Sequence, residues 1–561
     1  MLNAKRSVRA IMLACSTVLG GLHQACIAAD ASFYRHQARA GDTLIGLGQA
    51  LLIRPADWRQ VAQLNRIDNP RRIPIGATIR IPVALMKSTP APGSVLAVVG
   101  EATLTPARGP AAPAQVGASI APGTQITTGA NGYVTVQLAD GSVLRVQSAT
   151  TANVEHSRHY EAAGFFASSL RLIQGRLEAL VAHLTGGEPR FEVKTPQALL
   201  GVRGTEFRIT VDDSQQVTRS EVLDGAVAVA VAVDVASSKK KQPAQWLAAG
   251  FGTQVSQRGG AVTPVKLPPA PNLAAMPALH ERILVRIDIP PVPGATLYRA
   301  QVADDAAFQH VQGEVTSATP AFRLANLPDG HYHLRVRVAN AQGIEGPDAL
   351  RQFHLKARPE PPIASLPQPG GKVRASAVSL AWAEQPEAAR YRLQIAQEAS
   401  FAQPLHDDGT LQTTRQDVAL PVGDYLWRVA SIRPDGDQGP FGDPQSFQLR
   451  SPPPQPAPPK VDEQFLYFNW SGEPGQTFEF QMASDEAFTQ LLLAQALTEP
   501  TIKVDRPDQG GRLFIRYKAI DADGFIGPFT APQVVTLPRC VQDGSGQCLR
   551  TGHGGRVTSP W

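Results

Sequence analysis

Residues 191–207 read FEVKTPQALLGVRGTEF, and this stretch decides how the middle of the 561-residue chain folds. Thr195-Pro196 punctuates the run, and Gly201 and Gly204 admit backbone angles or close approaches that other residues resist. Arg203 and Glu206, three apart, either pair to order a turn or present a contact surface. On the N-terminal side Val134, Val136 and Leu138 alternate, Asp140-Gly141 predicts a two-residue hairpin turn, and Val143-Leu144-Arg145-Val146 returns. Leu170 and Leu172 lead into Gln174-Gly175, and Leu177 leads out. On the C-terminal side Val222 and Asp224-Gly225 precede alternating Val227, Val229, Val231 and Val233. The pattern is hairpin after hairpin, a wholly β domain over 95–256 that opens after a Pro/Ala-rich stretch at 106–113.

This core resembles the FecR domain through Thr195, Pro196, Gly201, Val202, Arg203, Gly204, Thr205, Glu206 and Phe207, with Leu138–Ser142 and Asp224–Val227 similar to its flanking hairpins. Regulatory members of that family relay a signal from an outer-membrane receptor to a cytoplasmic sigma factor through a transmembrane helix. No such helix is expected here. The resemblance therefore implies the extracytoplasmic domain, either as an interaction or assembly module or as part of a signal-transduction component coupling an envelope signal to a regulator.

Further along, the chain repeats itself. YRAQVADDAAF (298–308), YRLQIAQEASF (391–401) and FEFQMASDEAF (478–488) align, as do Gly346-Pro347, Gly439-Pro440 and Gly527-Pro528. A period near 90 is domain-sized. Ile289, Trp382 and Trp470 anchor early strands, and Tyr332–Val338 and Tyr425–Val429 form later ones, so three β-sandwiches are predicted at 275–356, 361–450 and 456–538. They resemble fibronectin type III modules. Pro359–Pro362 and Pro452–Pro459 read as semi-rigid spacers, giving an elongated rod.

Before the β domain, residues 33–83 predict a β-α-α-β unit. Asp42 is a natural N-cap for a helix with Leu44, Leu47 and Leu51 on one face. A second helix starts near Pro55 with Trp58, Val61 and Leu64 spaced by three, and Thr78–Ile81 closes as a strand. Gly46 and Gly48 inside the first helix loosen it by up to about 1 kcal/mol each relative to Ala. The segments Gly41-Asp42-Thr43-Leu44, Asn69-Pro70 and Ile73-Pro74-Ile75-Gly76 resemble the LysM domain, with His36 standing where that family usually has an aromatic. The resemblance implies binding of peptidoglycan or another N-acetylglucosamine-containing glycan in a groove lined by Gly41, Asp42, Thr43 and Leu44 on one side and Ile73, Pro74 and Ile75 on the other.

Lys5, Arg6 and Arg9, an apolar stretch to Leu22 and a small-residue exit before Asp30 read as a secretory signal peptide over 1–29, predicting an exported, periplasmic or envelope-associated protein. A lipoprotein signal at Cys26 is the rival. With that segment removed, Cys540 and Cys548 are expected to form a disulfide in a small loop within the tail 539–561. The formal charge of +5 also redistributes: the signal holds three of the positive charges, while residues 33–90 hold nine basic against three acidic residues. The remainder is slightly acidic, at −4, so the basic end suits an anionic wall rather than nucleic acid.

The 18% of charged residues is too low for a disordered polyelectrolyte or a coiled coil. Catalysis lacks a constellation. His331-Tyr-His333 places two imidazoles on one strand face without further ligands, His156 and His159 read as loop residues, and Lys239–Lys241 lacks interleaved aromatics. No metal, cofactor or membrane-spanning segment is expected in the mature chain. The sequence thus predicts a mainly β, multidomain, non-enzymatic envelope protein that binds peptidoglycan through 33–83 and an unknown envelope protein through the FecR-like domain.

Overall fold

The computed structural model describes residues 33–182, 190–232, 244–256, 262–507, 510–552 and 556–559, without the side chains of Arg190 and Arg203. The expected signal segment, Val233 and Lys239–Lys241 lie outside them. The chain divides into two compact units, Met1–Leu355 and Lys356–Trp561. Both are mainly β, and no helix among the described residues is long and apolar enough to cross a membrane.

The first unit opens with strand β1 (Phe33–Gln37), helix α1 (Leu44–Leu51), helix α2 (Trp58–Asn65) and strand β2 (Thr78–Pro82), the two strands antiparallel. Leu44, Leu47 and Leu51 are buried, each contributing about 1.5–3 kcal/mol by leaving water. Val61 joins them, but Leu64 faces solvent. A Cβ on Gly48 would stand 2.7 Å from the Pro55 carbonyl oxygen, so this glycine sets how closely the chain packs α1 against the turn that leads into α2. The N-cap is Thr43, not Asp42: the Thr43 hydroxyl accepts from the Gly46 amide at 3.0 Å. Asp42 is engaged elsewhere. Tyr34 stacks on Phe165 of the following domain with ring centroids 5.5 Å apart, and Tyr160 and Phe165 share the module's core.

The following domain is built on one continuous system of sixteen strands among the described residues. Its chief members are β3 (Gly93–Val99), β4 (Tyr133–Gln137), β5 (Val143–Val146), β6 (Thr151–Tyr160), β7 (Phe165–Leu180), β8 (Arg190–Lys194), β9 (Ala198–Asp212), β10 (Val217–Val231), β11 (Gln245–Ala248) and β12 (Phe251–Ser256). The first half of β7 pairs with β6 and, in parallel, with β8; its second half pairs with β5 and β9. Strand β10 then pairs with β9, β11 and β12. The sheet also recruits Thr89–Pro90 and Val265–Lys266, so it overruns the boundaries expected at 95 and 256. Ala112–Pro113, at the end of the Pro/Ala-rich stretch, is likewise a strand of this sheet.

Several expected turns are something else. Leu138–Ser142 does form a hairpin, but its loop has three residues: the Leu138 amide bonds the Ser142 carbonyl, and Gly141 is left-handed at φ 86°. Gln174-Gly175 and Asp224-Gly225 turn nothing, because they lie inside β7 and β10. These strands run 16 and 15 residues. The β9–β10 register slips at Glu206, where Gly204 (φ 53°) and Gly225 (φ 78°) face each other across a bulge.

The first sandwich contains β13 (Leu297–Ala303), β14 (Val311–Ser317), β15 (Gly330–Ala339) and β16 (Ala349–Leu355), in sheet order 16-15-13-14. The second unit holds two more two-sheet sandwiches with Trp382 and Trp470 buried in their cores. The Gln-Arg-Phe arrangement recurs in all three. Arg335, Arg428 and Arg516 donate through Nε to Gln301, Gln394 and Gln481 and lie over Phe308, Phe401 and Phe488. Both proline-rich stretches are tied to the sandwiches by hydrogen bonds: Tyr517 donates to the Pro454 carbonyl at 2.6 Å, and Ser431 donates to the Glu360 carbonyl at 2.8 Å.

Candidate functional site

Two places gather the residues singled out by sequence. In the βααβ module, the Leu44 amide donates to the Pro70 carbonyl at 2.8 Å, and Ala38 exchanges backbone bonds with Gly76 and Ala77. These bonds bring the loop 38–44 against the loop 69–77, so Gly41, Asp42 and Thr43 stand beside the segment Ile73, Pro74 and Ile75. Leu44 itself is core, 1% exposed, and lines no groove. Ile75 is the opposite, 75% exposed at the rim. Asp42 accepts from the Arg39 amide and bonds His36 Nε2, both at 2.7 Å. Those two contacts hold its carboxyl below the usual carboxylate range. His36, in the position expected of an aromatic, thus fixes the loop through its ring nitrogen.

In the FecR-like core, Thr195 earns its place as a stitch. It is buried, its hydroxyl accepts from the Ala198 amide at 2.8 Å, and Thr218 donates to it at 2.8 Å, closing the β8–β9 turn. Pro196 is exposed on that turn. Val202 and Phe207 point into the core, where Phe207 meets Phe191 edge-on at 6.2 Å. Thr205 is buried and donates to the Ala226 carbonyl. Gly201 has ordinary backbone angles and open space around its Cβ position, so the special role expected of it is not required. The segment is strand and bulge rather than a turn. Glu206 is exposed, and the Arg203 side chain with which it was expected to pair lies outside what is described.

What sequence reasoning missed lies beside this motif. Glu178 of β7 is buried and receives a two-pronged Arg335 at 3.0 and 3.1 Å, plus Arg337 at 2.8 Å. Asp348 bridges Arg208 and Arg337 at 2.8 Å each, and Arg176 reaches Glu314 at 2.6 Å. Burial alone raises the Glu178 carboxyl, but Arg335, Arg337, Arg208 and Arg145 together hold it well below the usual range. Glu221 is different. Burial, and then the neighbouring Glu345, push its carboxyl up to about 8. The first sandwich is therefore clamped to the β domain through buried charge.

The family model for FecR protein matches residues 124–228. This stretch is a FecR domain. Its match covers strands β4–β9 and most of β10, including the Thr195–Phe207 motif, while the sheet it belongs to extends beyond it on both sides. No curated protein matches the chain. Among solved structures, one from Parabacteroides distasonis described as a candidate anti-sigma factor shares 19% identity, with TM-score 0.20, over 25% of this chain and 59% of that one. The chicken CNTN1 FN1-FN3 domains share 13% identity, with TM-score 0.20, over 48% of this chain and 98% of that one.

Elsewhere, His331 stacks on His354 across the strand pair with ring centroids 4.3 Å apart, and His333 approaches Gln352. His156 and His159 lie within β6, not in a loop. Cys540 and Cys548 are joined as a disulfide.

Proposed function

We propose that the protein is an exported, non-enzymatic envelope protein in which a LysM-like βααβ module binds peptidoglycan and the FecR domain is the assembly core. Fibronectin type III-like sandwiches follow it. The observation that carries this reading is the seating of loop 38–44 against loop 69–77. It leaves backbone groups and the exposed Ile75 at one open rim, the kind of surface that can bond N-acetyl groups and cover their methyls. The FecR domain supports an assembly role because it holds a neighbour on each side, through Phe165 and through Glu178.

The test is co-sedimentation of the full chain with purified sacculi. Wild type is expected in the pellet and Ile75→Asp in the supernatant. Wild type remaining soluble would overturn the tether.

A second reading, a component coupling an envelope signal to a regulator, is favoured by the FecR family match over 124–228. Deleting the gene is then expected to alter transcription of a sigma-dependent set; an unchanged transcriptome counts against it.

A further inference from the structure

The three acids of the βααβ module are Asp42, Asp57 and Asp68. Asp42 is taken by His36 and the Arg39 amide, and Asp57 by Arg54 and Gln60. Among the described residues, Asp68 alone of the three has no side-chain partner. The cations at the rim are disposed differently. Arg39 stands on one loop of the pair, Arg71 and Arg72 on the other, where the Arg71 amide is bonded by Asn69 Oδ1 and the Arg72 amide by the Asn69 carbonyl. All three side chains are exposed, and none makes a salt bridge within 4.0 Å among the described residues, although the Arg39 charge acts on Asp42.

Solvated arginines are common on protein surfaces, and singly they mean little. Here they flank one rim from both sides, while the acid between them is already engaged. A neutral N-acetylated chain would gain from them only the weaker hydrogen bonds to neutral oxygens. A chain bearing carboxylates next to its N-acetyl groups could form charge-assisted hydrogen bonds with each guanidinium.

We infer that Arg39, Arg71 and Arg72 make the rim selective for N-acetylated glycans that carry carboxylates, against neutral ones of the same sugar. This rests on the glycan-binding reading proposed above. The exposed setting makes each pair modest, but three together amount to about tenfold in affinity, and the preference shrinks with added salt.

The experiment compares binding of the full chain to three solids: purified sacculi, the same sacculi with carboxyls amidated by carbodiimide, and chitin. Wild type is expected to hold native sacculi about tenfold more tightly than the other two. The variant R39Q/R71Q/R72Q, with its thermal melt checked against wild type, is expected to bind all three alike. Equal wild-type binding to native and amidated sacculi would overturn the inference and leave the glycan reading standing, as would a variant that keeps the preference. Binding to none of the three would overturn the glycan reading itself.

Discussion

Arg335 of the first sandwich grips Glu178 of the FecR sheet with two guanidinium nitrogens, at 3.0 and 3.1 Å, across 157 positions of sequence. Both side chains are nearly inaccessible to water. A buried pair of this kind contributes little against a well-packed apolar substitute, yet breaking it strands a charge. Its value here is orientation: the fork fixes which face of the sandwich meets the sheet. Glu178→Gln is expected to destabilise the first unit by about 3 kcal/mol in denaturant unfolding. A change below about 0.5 kcal/mol would show that the clamp is not coupled to stability.

The same cluster sets an acid limit. Glu178 and Glu345 are both held low in the folded chain; burial opposes this at each, and Arg335, Arg337 and Arg208 around the first and Arg299, Arg337 and Arg208 around the second outweigh it, with Glu345 down to about 2. Carboxyls depressed on folding stabilise above their ordinary value of 4.5, and that stabilisation is lost as pH falls from there through the folded values. Melting temperatures of the first unit are expected to fall steeply below about pH 4.5, and less steeply in Glu178→Gln.

Glu221 runs the other way. Its carboxyl is raised to about 8, by burial first and Glu345 second. The unfolded chain gives up this proton near pH 4.5, whereas the folded chain keeps it until near 8, so stability declines with rising pH across that window and levels off above it. Glu221→Gln keeps an acceptor for the Glu345 amide, which now bonds Glu221 Oε1 at 3.2 Å, and removes the ionisation. It is expected to flatten the decline and stabilise the unit at pH 8 by on the order of 1–3 kcal/mol. Destabilisation at pH 8 would contradict the assignment.

Two glycines of the FecR region separate motif from necessity. A Cβ on Gly225 would lie 2.6 Å from the Gly204 carbonyl oxygen, in a left-handed backbone conformation. Gly225→Ala is expected to cost about 2 kcal/mol or more. Gly201→Ala, with open space and ordinary angles, is expected within about 0.5 kcal/mol of wild type by the same melts.

The local periodicities were legible: Leu44, Leu47 and Leu51 are buried as their spacing predicts, and the aligned Phe308, Phe401 and Phe488 share positive φ angles of 52°, 50° and 56°. What local signals could not separate was a glycine that turns a chain from one that kinks a long strand. Gln174-Gly175 and Asp224-Gly225 look identical to hairpin turns until the partner strand is known. The cap at Thr43 was masked for a related reason. Asp42 is the equally good capping residue, but the Arg39 amide and His36 claim its carboxylate. The Glu178 cluster left no sequence signal beyond charged residues within alternating strands, such as Arg335 and Arg337 in β15. Glu178, the partner they share, lies on a different domain.

Hydrogen exchange of the full chain, with and without a soluble peptidoglycan fragment, tests the central claim most directly. Peptides covering 38–46 and 69–78 are expected to gain protection, with 190–232 unchanged. Protection confined to the FecR sheet, or none in either loop at saturating fragment, would contradict it.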